Sequence, residues 1–174
     1  MNRIKLLGLA GLMLVFALPL AAQNGRLDPL FSQYADDARF SRVNVSNRMF
    51  DVFVDIEMDK PEEQEIIEAL SKLNGMKALI GNEVAQSADI YQNLLQSTVS
   101  DMEELTTVTE SGIEFKFFVT RSGEQITELV MVGYDQSTVM IMSVVGDIDL
   151  EAIASISQRM NLPGFKNFQK VNQQ

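Results

Sequence analysis

Cysteine and histidine are both absent from this 174-residue chain, and so is tryptophan. Without a thiol there are no disulfides, no thiolate zinc sites, no iron–sulfur clusters and no cysteine nucleophile. Without an imidazole there is no Ser–His–Asp triad and no histidine-ligated metal. Basic residues are also scarce: 14 Lys and Arg stand against 24 Asp and Glu, a net charge of −10. A surface of that sign repels phosphate backbones and anionic headgroups, so nucleic acid and acidic membrane surfaces are poor partners. There is no Gly-x-Ser-x-Gly elbow, no Walker loop and no Gly-x-Gly-x-x-Gly fingerprint. We therefore expect no catalytic residue, no metal and no cofactor. What the chain does have is 46% apolar and 22% charged residues, the balance of an ordinary globular protein with a hydrophobic core.

The N-terminus has the layout of a secretory signal. Arg3 and Lys5 precede an apolar run from Leu6 to Leu18, Pro19 breaks it, and Leu20-Ala21-Ala22 leads to Gln23. The run is shorter than the roughly 20 residues a membrane span needs. We expect 1–22 to be removed, 23–164 to form one globular domain and 165–174 to be a polar tail. The excised segment takes two basic residues with it, so the mature chain is more acidic still. No second apolar run of spanning length follows, which predicts no membrane insertion after cleavage and an exported, soluble product.

Periodicity along the mature part predicts mixed structure. Asp28-Pro29 opens a helix over 28–38 with Asp28 as N-cap. Arg39 to Val45 alternates as a short strand. Ser46 then caps a helix carrying Met49, Phe50, Val52, Phe53 and Ile56, although Val52-Phe53-Val54 is also β-prone. Asp59-Lys60-Pro61 restarts a helix that Asn74-Gly75 ends. Met76 to Ile80 is a strand, and an amphipathic helix covers about 83–100.

From Leu105 the apolar period falls from 3.6 to 2. Four strands separated by Ser111-Gly112, Ser122-Gly123 and Asp135-Gln136-Ser137 form an antiparallel meander. Val139 to Val145 is apolar on both faces apart from Ser143, as in a strand covered on both sides, or on one side with an interface on the other. Gly146 ends that strand, Asp149 opens a last helix, and Pro163-Gly164 stops it. The expected architecture is α+β, an antiparallel meander with amphipathic helices mainly on one face.

Together, the signal peptide, Val43-Asn44-Val45-Ser46 with Met49, the Leu73 to Ile80 junction, Glu128-Leu129-Val130 and Gly146-Asp147-Ile148-Asp149-Leu150 resemble the domain-of-unknown-function family numbered 4252. The likeness spans roughly residues 27–162. The family comprises small exported proteins of Gram-negative bacteria, so the resemblance implies a periplasmic or otherwise exported single domain and transfers neither an activity nor site residues.

Several groups invite a functional reading. Asp147, Asp149 and Glu151 offer three carboxylates for a hard cation, or simply a helix cap with a dipole partner. Glu103-Glu104 and Asp36-Asp37 are acidic pairs, but a glycosidase needs carboxylates facing each other across a cleft. Ser71-Lys72 is a minimal Ser–Lys pairing. Asn44-Val45-Ser46 fits a glycosylation sequon. Met131, Met140 and Met142 read as adaptable core filling. Phe115, Phe117 and Phe118 put aromatics on both faces of one strand, one face being core and the other a candidate exposed patch. The function expected is a non-enzymatic interaction or accessory module of the cell envelope with a protein partner. The alternative is a small-ligand binder or carboxylate-based hydrolase in the same compartment.

Overall fold

A computed structural model describes residues 26–54, 61–110 and 112–159. The signal segment, the Gln23 start, Asp59-Lys60, Ser111, Pro163-Gly164 and the polar tail lie outside the described residues. The elements run α1 (Asp28–Gln33), β1 (Phe40–Ser46), α2 (Asn47–Val54), α3 (Pro61–Ser71), β2 (Leu73–Gly81) and α4 (Ser87–Ser97), then β3 (Glu103–Glu110), β4 (Ile113–Ser122), β5 (Gln125–Tyr134), β6 (Val139–Ile148) and α5 (Leu150–Arg159). The expected α+β class and antiparallel meander are present. The six strands form one sheet in the order β1-β2-β6-β5-β4-β3, and every neighbouring pair is antiparallel.

The alternation read from sequence becomes two cores. On one face Phe115, Phe117 and Val119 of β4 pack with Leu129, Met131 and Val144, closed by Phe50 of α2, Leu70 of α3 and Ala154 of α5. On the other, Phe118, Val130, Val132 and Ile141 meet Leu30 of α1 and Tyr91 and Leu94 of α4. Of the five helices among the described residues, three thus cover the first face and two the second. This explains why β6 is apolar on both sides: it is a central strand that contributes to both cores. Phe118 is only 6% exposed, so the second aromatic face of β4 is core rather than an exposed patch.

Local signals gave way to tertiary pairing at several points. Asn74-Gly75 does not end a helix. α3 stops at Ser71, and Leu73 begins β2, its side chain in the first core. A register irregularity between Leu73 and Gly75 lets β2 meet Gly146 and Val145 of β6. Gly146 likewise does not end β6, which continues to Ile148 opposite Ile126. A Cβ on Gly146 would sit 2.4 Å from the Lys72 carbonyl oxygen, so glycine is required by close approach. The Lys72 carbonyl accepts from the Asp147 amide at 3.0 Å, which ties the two irregular strands together.

Asp28 is not a cap either. Leu27 occupies that position without a side-chain cap bond, and the Asp28 carboxylate pairs with Lys77 instead. The α4 helix is shorter than its apolar pattern, because Val84 is buried in a turn whose amide donates to the Ser137 carbonyl at 2.9 Å. At 47–54 the helical reading holds over the strand reading.

Candidate functional site

The groups singled out by sequence fall into separate structural roles. Asp149 Oδ1 accepts from the backbone amides of Glu151 at 2.9 Å and Ala152 at 3.2 Å, which is an N-cap of α5. Asp147, Asp149 and Glu151 are exposed, and among the described residues no set of three acidic side chains is placed to hold a metal ion. Glu103 pairs with Arg121 at 3.0 Å and Glu104 with Lys116 at 3.7 Å, so the two carboxylates serve different cations. Asp37 is bound by Arg39, whose hydrogen bond holds its carboxyl below the ordinary range, and Asp36 stands exposed beside it. Ser71 Oγ donates to the Glu68 carbonyl at 2.7 Å, and the Glu68 carboxylate raises the pKa of Lys72, the reverse of what a lysine base needs. Met131, Met140 and Met142 pack into the first core. Asn44 and Ser46 of the sequon lie on β1, where they help line a groove.

That groove has a volume of about 570 Å³ and crosses the second face of the sheet where α1 and α4 do not cover it. It runs from Glu128 on β5, past Ser143 of β6 and the side-chain-free Gly75 of β2, to Asn44 and Ser46 on the edge strand. Alternation puts these residues on one face, because each strand contributes every second side chain. Both oxygens of the half-buried Glu128 are taken: Ser143 Oγ donates to Oε1 at 2.7 Å and Arg26 Nε to Oε2 at 3.1 Å. Arg26 also donates to the Thr98 carbonyl and to Asp101, each at 2.7 Å. Burial works against the Arg26 charge, but its bonds to Asp101 and Glu128 outweigh that and raise its pKa. Lys77 is held by Asp28 and lies 5.9 Å from the Phe31 ring centroid. The charges along the groove are thus occupied with one another. What it offers a visitor is amide and hydroxyl groups: Asn44, Ser46, Asn47 and Asn74.

At its open end the groove reaches β1, and there the surface changes character. The exposed large apolar residues among the described side chains are Val43 at 38%, Met49 at 52% and Val52 at 61%. They lie on β1 and on α2, the helix that follows it directly. Arg42 and Arg48 are in the same stretch, and among the described residues neither has a carboxylate partner. The Arg42 guanidinium reaches the Phe31 carbonyl at 3.5 Å. The signal for this site was in the sequence: between Asp37 and Asp51 there are three arginines and no acidic residue, in a chain rich in acids. Hydrophobic periodicity alone passes over it, because it weighs the buried positions.

The chain matches the family described as "Domain of unknown function (DUF4252)" over residues 34–156. No curated protein and no solved structure matched the chain.

Proposed function

The chain belongs to the DUF4252 family, and from that premise we propose that it is an exported, non-enzymatic interaction module whose contact surface is the β1–α2 edge. The observation that carries this reading is the coincidence of Val43, Met49 and Val52 with two arginines that have no carboxylate partner among the described residues. Exposed apolar side chains beside unspent charge are the composition of a contact surface with a polar rim. The reading is tested by placing a photo-crosslinking residue at Met49 or Val52 in cells, with Thr107 on the far edge strand as control. A discrete partner is expected at 49 and 52 and not at 107. Equal labelling at all three, or none at any, overturns it.

Export rests on the layout of residues 1–22. N-terminal analysis of the mature protein is expected to begin at Gln23. A membrane-bound form retaining 1–18 overturns the export reading. No helix among the described residues is long and apolar enough to cross a membrane.

The groove supports a second reading, in which the module also holds a small neutral polar ligand. Its amide and hydroxyl lining suits hydrogen bonding, and Glu128 is committed to Arg26 and Ser143 rather than poised as an acid or base. Asn74→Leu is expected to abolish a ligand-induced rise in melting temperature without lowering that of the free protein. An unchanged rise would place the ligand elsewhere.

A further inference from the structure

We propose that the free edge of β1 accepts an extended segment of a partner protein as an added strand, and that this segment alternates carboxylate with aliphatic side chains. The proposal rests on the interaction-module reading and names the partner's chemistry.

β1 closes one end of the sheet and, among the described residues, pairs only with β2, through an unbroken register from Phe40↔Gly81 to Ser46↔Gly75. Its outer row of backbone N–H and C=O groups is a template for another strand, which folded proteins normally blunt with charge, proline or a bulge. The opposite edge is blunted. β3 has a register irregularity between Glu104 and Thr106, and it carries Glu103, Glu104 and a run of threonines. Over its seven residues β1 has no irregularity, no proline, and Arg42 as its sole charge. Among the described residues, one edge is guarded and the other is left open.

The side chains of β1 say what fits there. Phe40 faces the second core, so Arg42, Asn44 and Ser46 share that face, while Ser41, Val43 and Val45 lie on the other. A strand laid alongside inherits this alternation, since directly opposed residues on one face are the ones that interact. Beside Arg42 it places carboxylates, and beside Val43 aliphatic groups. Arg48 and the exposed Met49 at the start of α2 extend both features past the strand end. Charge complementarity also selects against a symmetric pairing of two copies through β1, because that would bring Arg42 and Arg48 toward the arginines of the second copy.

The test uses the mature protein and two synthetic eight-residue peptides, one alternating Val with Glu and one alternating Val with Lys. The acidic peptide is expected to shift the backbone amide resonances of 40–46 and to bind more weakly as salt rises. The basic peptide is expected to bind at least tenfold more weakly. The double variant Arg42→Glu/Arg48→Glu, both exposed positions, should invert that order. Equal binding of the two peptides, or shifts confined to the groove around Glu128, overturns the proposal. So does concentration-dependent self-association without peptide that the double variant abolishes, since the occupant is then the acidic β3 edge of a second copy. If the crosslinks at Met49 and Val52 find a partner and neither peptide moves 40–46, the module reading stands and strand addition fails. If the crosslinks find nothing, the module reading itself has failed.

Discussion

Asp149 holds the first turn of α5 through two backbone amides, and Asp135 does the same for the turn between β5 and β6, accepting from Ser137 N at 2.7 Å and Thr138 N at 2.6 Å. Asp149→Ala is expected to cost about 0.5–2 kcal/mol, and Asp149→Ser to recover most of it, since a hydroxyl accepts the same bond. Urea denaturation of the three proteins checks this. Asp135 makes a pH-dependent contribution. The Ser137 amide above all, with the Thr138 amide beside it, holds its carboxyl below the ordinary 3.8 although burial acts in the opposite direction. The folded state then binds fewer protons than the unfolded one, so the stabilisation is complete above the unfolded pKa and is lost as pH falls through the folded one. Urea midpoints of wild type and Asp135→Ala are expected to differ at neutral pH and to converge well below pH 3.8. Asp149 was readable as a cap because it precedes an apolar run of helical period. Asp28 looked equivalent, but its carboxylate is drawn to Lys77, a residue of β2 that no local pattern links to it.

Among the elements, the meander from β3 to β6 was the most legible, because period-2 alternation and short turns are local signals. The junction of α3 with β2 was not. There the local preference of Asn74-Gly75 for a helix end competes with burial of Leu73 and with the bond between Asp147 N and the Lys72 carbonyl, and the tertiary contacts prevail. Gly146→Ala probes that junction. With backbone rather than a yielding side chain 2.4 Å from the new Cβ, it is expected to cost at least the 1–3 kcal/mol typical of overpacking, read from chemical denaturation. The α2 surface predicts the opposite. Met49→Gln and Val52→Gln should leave stability within about 0.5 kcal/mol, since both side chains are mostly exposed. The groove escaped sequence reading altogether. Arg26, Asn44, Gly75, Glu128 and Ser143 belong to widely separated segments, and only the strand order collects them.

For the molecule as a whole, strand order sets the cost of assembly. β4, β5 and β6 close through short turns, whereas β2 must find β6 over a long intervening stretch that holds α4 and three strands, pairing Leu73 with Gly146 and Gly81 with Val139. Local contacts cost less loop entropy than long-range ones, so the meander is the expected nucleus and β2 docks onto it afterwards. Phe117→Ala, in the local meander, is expected to slow refolding, and Leu79→Ala, on β2, chiefly to speed unfolding; stopped-flow kinetics separates the two. The inner position of β2 also bears on how the protein is made. A polypeptide leaves the ribosome N-terminus first, so β1 and β2 emerge as a finished pair whose neighbour is the last strand still to come. Until Ile148 is clear, the inner side of β2 has no partner within the chain. An interrupted product ending before β6 keeps that pair and has nowhere to dock it, and so offers an unfinished edge to any protease or holding factor it meets.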